Sequence, residues 1–270
     1  MAMTGSNHPP SESSPSVSLR QRLLDGDSVL GSWINSGSPI IAELMAASGF
    51  DFLCVDAEHS AVDLPQVQSM FQAIKSGRPD CAALVRLHGV DYALVKRYLD
   101  AGAAGVIAPL VRTREEAELL VRACKYPPVG LRGLGFCRAN DYGLRVEEEF
   151  NRANENTLIV VQIEHIEAVH NIGEILSVPE IDGVFVGPYD LSASMGLAGQ
   201  FSHPEYAKAL DTIREACLGH QVFSGLHVIA PDVAEAKHLL NEGYQMLAYS
   251  LDITMIGTLC KSSLAELRKG

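Results

Sequence analysis

The side chains of this chain that could do chemistry fall in a few short stretches, each closing an apolar run. Asp56, Glu58 and His59 end the stretch DFLCVDAEHS, and Arg86 ends CAALVR. Gln162 and Glu164 close LIVVQIE, Asp190 follows VFVGP, and His227 and Asp252 come after two later apolar runs. Glu164 and Asp190 are the most informative pair. Two carboxylates held close in a partly dry site cannot both stay ionised cheaply unless a cation lies between them. A hard divalent ion such as Mg²⁺ or Mn²⁺ suits that place, because it takes few protein oxygens and leaves positions for water and substrate. The plainer alternative is that Asp190 caps the following helix while Glu164 pairs with an arginine. His59, three residues after Asp56, is either a general base oriented by that carboxylate or an ordinary rim histidine. Arg86 must meet an anion, either a protein acid or a substrate carboxylate or enolate oxygen. His227 and Asp252 have weaker context, with packing roles equally open. His165, one place past Glu164, should face away from any shared lumen by strand alternation.

These residues need elements that deliver them to one place. From residue 28 onward the chain repeats one theme, a short apolar run and then an amphipathic stretch closing on glycine. The runs are 29–34, 52–56, 82–86, 105–110, 158–164, 183–187, 222–226 and 246–250. The helices between them carry their own punctuation. Ser38 can cap a helix with Pro39 at its first turn, and Thr113 with Glu116 makes a capping-box pattern. Tyr206, Leu210, Ile213 and Cys217 repeat at helical spacing before Gly219. The joints SGFDFLCVD, AGAAGVIAP and EGYQMLAYS each set a glycine where a left-handed cap is expected. Eight β/α units with buried strands predict a single-domain (β/α)8 TIM barrel over residues 19–270, with a doubly wound sheet as the competitor. In such barrels the catalytic groups gather at the C-terminal ends of the strands, where the residues above fall. The long connection KYPPVGLRGLGFCRANDYG reads as an active-site loop, followed by a helix near 145–154.

Bulk properties narrow the function classes. At 270 residues the chain can build one large core. A net charge of −12 without basic runs argues against nucleic acid or an anionic membrane as partner. No apolar stretch approaches the ~18 residues of a membrane span. Six scattered cysteines with mostly apolar neighbours read as buried, reduced thiols of a cytoplasmic protein. Residues 1–18, rich in Ser and Pro, read as a disordered tail rather than a secretory signal. None of the eight runs contains a lysine, so a Schiff-base aldolase would lack its nucleophile. No glycine-rich phosphate cradle follows the last two runs, which disfavours a phosphorylated substrate.

With these residues in view, the chain resembles the HpcH/HpaI family of divalent-metal pyruvate aldolases. The resemblance covers roughly residues 19–268 and rests on GFDFLCVDAEHS, LVRLH, KYPPVGLRGLG, VVQIE, GVFVGPYDLSASMG and SLDITMI, in that order. It implies a lyase that reversibly cleaves a 4-hydroxy-2-oxo acid to pyruvate, or a close 2-oxo acid, and an aldehyde through a metal-stabilised enolate. Glu164 and Asp190 match the ligands of a divalent ion (Mg²⁺, Mn²⁺ or Co²⁺). Arg86 matches the arginine that binds the ketone oxygen and steadies the enolate. His59, supported by Asp56, matches the histidine that assists proton transfer through a water. Gln162 matches a polar residue beside metal and substrate, and the backbone around Gly187, Pro188 and Tyr189 the receptor of the pyruvate carboxylate. Trp33 matches a position on the aldehyde side. The resemblance further implies a homo-oligomer, hexamer or trimer, with the last helix packed on a neighbouring subunit. Three departures bear on substrate identity: Tyr189 where relatives often carry alanine, His165 in place of a smaller hydroxyl residue, and the divergent segment LHVIAPDVAEA. A citrate-synthase-like or citryl- or acyl-CoA lyase-type reaction of the same superfamily is the alternative. A non-catalytic barrel that binds a 2-oxo acid is the third reading.

Overall fold

The computed structural model describes residues 17–269. Eight parallel strands close into a barrel in sequence order: β1 (Val29–Ile34), β2 (Phe52–Asp56), β3 (Ala82–Arg86), β4 (Gly105–Ala108), β5 (Leu158–Ile163), β6 (Gly183–Val186), β7 (Phe223–Val228) and β8 (Met246–Leu251). The expected (β/α)8 barrel is thus the fold. The helices are α1 (Leu19–Leu24), α2 (Pro39–Ala47), α3 (Leu64–Gly77), α4 (Tyr92–Asp100), α5 (Arg114–Cys124), α6 (Val146–Asn156), α7 (Ile166–His170), α8 (Ile172–Leu176), α9 (Pro188–Ser194), α10 (Pro204–His220), α11 (Val233–Asn241) and α12 (Asp252–Leu267).

Local chemistry explains most boundaries. Ser38 caps α2 with Pro39 behind it, and Thr113 and Glu116 form the capping box of α5. Gly49, Gly102 and Gly243 at the three matching joints all have positive φ, as the repeated pattern requires. The helix ending near Gly219 runs on through His220 and stops at Gln221, which itself takes the left-handed conformation. Strand seven also extends past its expected end, so His227 lies inside β7 rather than beyond it. Of the expected tail, residues 1–16 lie outside the described residues, and Ser18 caps α1 with its hydroxyl.

Strand alternation splits the core in two. Leu53, Val55, Ala83, Val85, Val161 and Val184 face the helices, whereas Phe52, Cys54, Leu84, Ile107, Val160 and Phe185 fill the lumen. The lumen is a packed interior, closed below the catalytic end by interleaved large and absent side chains. Gly183 lies opposite Phe223 in the β6–β7 register. A methyl at Gly183 would fall 2.4 Å from the Phe223 ring.

Two expectations change here. The connection 125–143 follows a helix and leads towards a strand, so it belongs to the N-terminal end of the barrel, opposite the site. Its Lys125 and Arg138 bond backbone carbonyls that precede β5 and β4, and none of its residues lines the cavity described below. Order along the chain, helix before strand, decides the end on which it falls. All six cysteines are free as expected, but only Cys54, Cys81, Cys124 and Cys217 are buried; Cys137 is half-buried and Cys260 is exposed on α12. No helix among the described residues is long and apolar enough to cross a membrane.

The tight contact at Gly183 generates a stability prediction. Gly183→Ala should cost about 1–3 kcal/mol through overpacking against Phe223, read as a lower urea midpoint at unchanged slope. A neutral result would mean that the lumen has slack at this layer.

Candidate active site

The strand ends build a cavity of about 250 Å³ at the C-terminal mouth of the barrel. Its walls include Trp33, Asn35, Asp56, His59, Arg86, Gln162, Gly187, Pro188, Tyr189, Asp190 and His227. Nine of the ten expected site residues therefore line one space, and the tenth, Glu164, contacts Gln162 just beneath it.

Asp56 organises one side. The β2–β3 register sets it directly beside Arg86. Arg86 Nε and Nη2 donate to its two carboxylate oxygens at 2.9 and 2.6 Å, a bidentate pair. Asn35 Nδ2 donates to Oδ2 at 2.6 Å, and the backbone N–H groups of Glu58 and His59 donate to Oδ1 at 3.0 and 3.2 Å. Burial by itself would raise the Asp56 pKa. The Arg86 hydrogen bonds and charge, with the two backbone donors, more than offset it and hold the carboxyl below its ordinary value.

This geometry revises the expected link between Asp56 and His59. The carboxylate accepts from the His59 backbone, not from its ring. The imidazole is largely exposed, and its Nε2 lies 3.6 Å from Glu58. Glu58 also lies 3.3 Å from Arg86 Nη1. Burial raises the Glu58 pKa, opposed by Arg86 and His59 and reinforced by Asp56 and Asp190.

The second side comes from β5 and β6. Alternation sends Gln162 and Glu164 inward, and the β5–β6 register brings Gly187 alongside Glu164. A Cβ at Gly187 would lie 2.7 Å from the Glu164 carboxylate, so only glycine leaves that group its place. Glu164 Oε1 accepts from the Leu110 backbone N–H at 2.7 Å, and Oε2 accepts from the Gln162 amide. Burial pushes Glu164 up to about 7; those two hydrogen bonds oppose the shift, while the Glu58 and Asp190 carboxylates add to it. Neither plainer alternative is seen. Glu164 takes its hydrogen bonds from an amide and a backbone N–H rather than an arginine, and the cap position of α9 is Gly187 rather than Asp190.

Trp33 is buried, stacks on Phe185 and packs at a tilt against His227, with ring centroids 5.1 and 5.0 Å away. Asp252 has a structural role, accepting from the backbone N–H groups of Asn35 and Ser36 and so anchoring the β1–α2 loop. His165 caps α7, outside the cavity. Sequence reasoning missed Asn35. It directly follows the β1 run, and reading each strand one residue further would have found it.

A family model described as HpcH/HpaI aldolase/citrate lyase matches residues 30–257. The chain belongs to this family. It is 42% identical over 73% of its length, and 76% of the relative's, to a 4-hydroxy-2-oxovalerate aldolase of Rhodococcus jostii. It is 33% identical to a hydroxypyruvate/pyruvate aldolase of Roseobacter denitrificans, over 95% of this chain and 99% of that one. The crystal structure of a family member from Burkholderia cenocepacia superposes with a TM-score of 0.88 at 34% identity, covering 93% and 98% of the two chains. The expected aldolase class, a carbon–carbon lyase, is borne out.

The Asp56–Arg86 pair generates a pH prediction. A carboxyl depressed on folding stabilises the protein above its unfolded pKa of ~3.9, and the contribution is lost as pH falls through the folded value. Asp56→Asn, which leaves Arg86 short of its partner, should cost about 3 kcal/mol at pH 7. The difference from the wild type should shrink between pH 5 and pH 3 in urea titrations. A constant difference across that range would show that the ionised carboxylate is not what stabilises.

Proposed function

We propose that this aldolase reversibly cleaves a 4-hydroxy-2-oxo acid to pyruvate, or a close 2-oxo acid, and an aldehyde by way of the enolate. The observation that carries the reading is one cavity lined by Arg86, whose guanidinium is held on Asp56, and by Asp190, with the Glu164 carboxylate against Gln162 just beneath it. Cleavage of the C3–C4 bond leaves negative charge on the pyruvate fragment. Preorganised positive groups at that point commonly supply the largest catalytic contribution.

The donor set fits a divalent ion. Glu164 is pushed towards neutrality by burial and neighbouring carboxylates, the condition a cation relieves. Gln162 Oε1 is buried without a partner beside it. Among the described residues no group of three or more His, Cys, Asp or Glu could hold a metal; the protein ligands proposed are the two carboxylates, Glu164 and Asp190, with water and substrate completing the shell. That suits Mg²⁺ or Mn²⁺, which keep several waters, and Co²⁺ is a third option. When bound, the ion would supply Lewis-acid polarisation of the 2-oxo group.

The chain's own residues do the rest. Two of the five Arg86 N–H groups are fixed on Asp56, and a third lies on Nη1 near Glu58, leaving donors for the ketone oxygen. Asp56 is the positioning residue that holds that fork in place. The first-turn N–H groups of Tyr189 and Asp190 have no helical partner and suit the substrate carboxylate; Pro188 has no N–H to give. His59, exposed at the rim, moves the 4-hydroxyl proton by way of water. Gln162 bonds Glu164 and faces the 2-oxo acid, and Trp33 borders the aldehyde. Free thiols suit a cytoplasmic location.

The family resemblance supports a homo-oligomer, hexamer or trimer, and so does α12. Its Ile253, Ile256, Leu259, Leu264 and Leu267 are all exposed, and Asp252 is its one buried residue. Such a face calls for a neighbour. Leu259→Asp should therefore lower the mass found by light scattering, and an unchanged assembly would remove α12 from the interface.

Two measurements test the reaction. With Mg²⁺ or Mn²⁺, a panel of 4-hydroxy-2-oxo acids should release free pyruvate, and pyruvate alone should exchange its methyl protons in D₂O. A chelator should abolish both. Full turnover by metal-stripped protein would overturn the metal assignment. Condensation of an acyl-CoA without pyruvate chemistry would favour the citrate-forming alternative, and 2-oxo-acid binding without turnover the non-catalytic one.

A further inference from the structure

The wall of the cavity built from β7, β8 and β1 contains a histidine that the reaction above does not use. His227 Nε2 lies 3.0 Å from the Ser250 backbone oxygen. A carbonyl only accepts, so Nε2 carries the ring proton and Nδ1 presents a lone pair. Nδ1 has no partner among the described residues, and His227 lines the cavity. Burial pulls its pKa down to about 4, and the bond to Ser250 only partly opposes this, so the ring stays neutral at working pH. The tautomer is thus set by the fold: a donor spent on backbone and an acceptor left free on a ring that lines the cavity.

The surroundings say what that acceptor would meet. His227 packs at a tilt against Trp33, the residue placed beside the aldehyde. Asn35 Oδ1 is buried without a partner near the same wall, and Ile229 and Leu251 complete it with apolar surface. Among the residues lining the cavity Arg86 is the one permanent cation, and it is committed to Asp56. The wall therefore offers the acceptors of His227 and Asn35, one unpartnered donor in the Trp33 indole N–H, and apolar contact, with no counter-charge for a second carboxylate.

We propose that His227 determines aldehyde specificity by accepting a hydrogen bond from a hydroxyl of the aldehyde, so that a short, uncharged hydroxyaldehyde is the preferred partner. This rests on the pyruvate reading given above. A site that bonds a substrate hydroxyl discriminates against the analogue lacking it, because its buried polar atom is then left unpaired.

Two substitutions separate this role from packing. His227→Gln keeps a donor in the Nε2 position for Ser250 and loses the Nδ1 acceptor. His227→Asn keeps an acceptor near Nδ1 and loses the bond to Ser250. The measurement is kcat/KM for aldol addition of pyruvate to glycolaldehyde relative to acetaldehyde. The wild type should prefer glycolaldehyde, His227→Gln should lose about tenfold of that preference, and His227→Asn should retain most of it. No preference in the wild type, or an unaltered ratio in His227→Gln, would overturn the proposal. So would equal losses in both variants, which would mark a packing effect on Trp33. Methyl-proton exchange of pyruvate by the wild type, measured without aldehyde, tests the underlying reaction separately. Exchange with no hydroxyaldehyde preference therefore sinks this proposal alone.

Discussion

The site depends on one buried ion pair, Asp56 with Arg86. A fully buried carboxylate is unfavourable unless its lone pairs are used and its charge is matched. Here two guanidinium bonds, one amide and two backbone N–H groups meet both conditions. The pair joins β2 to β3, Asn35 extends it to the end of β1, and the backbone donors fold the Glu58–His59 turn over it. Because Asp56 and Arg86 are register partners, the geometry is held by the sheet ladder itself rather than by a loop. A guanidinium fixed this way loses little on meeting substrate, which is what electrostatic preorganisation requires.

Charge is then distributed by sector around the mouth. The cation sits on β3, the carboxylates Glu164 and Asp190 just past β5 and on α9, and the aromatic and apolar wall on β7, β8 and β1. Separation of this kind lets one small cavity treat its reactants differently. On the reaction proposed above, the charged fragment meets charged groups, and the neutral one meets Trp33 and an imidazole whose tautomer is locked. Gly187 shows how closely the sectors are fitted, since a single methyl there would displace the Glu164 carboxylate.

Below the site the lumen is filled by interleaving, and α12 carries a row of exposed apolar side chains. The connection 125–143 illustrates how topology overrides composition. Its glycines and prolines resemble a binding loop, yet following a helix puts it at the N-terminal end of the strands. Within this chain it braces the base through Lys125 and Arg138.

Much of this was legible in the sequence because barrel strands are buried on both faces and end at polar residues. The first three runs were read to the residue, capping at Ser38, Thr113 and the three joint glycines was local chemistry, and nine of ten expected site residues line one cavity. Alternation placed Gln162 and Glu164 on one face, since period two needs no knowledge of the partner strand. Tertiary structure decided the rest. Sequence spacing suggested that Asp56 serves His59, but register, which spacing does not encode, gave its side chain to Arg86 and left the His59 ring near Glu58. The tautomer of His227 depends on a carbonyl 23 residues away, and the raised pKa of Glu164 on burial beside carboxylates from other elements. What the residues can do is local and written in their order; which partner each one receives is settled only when the sheet closes.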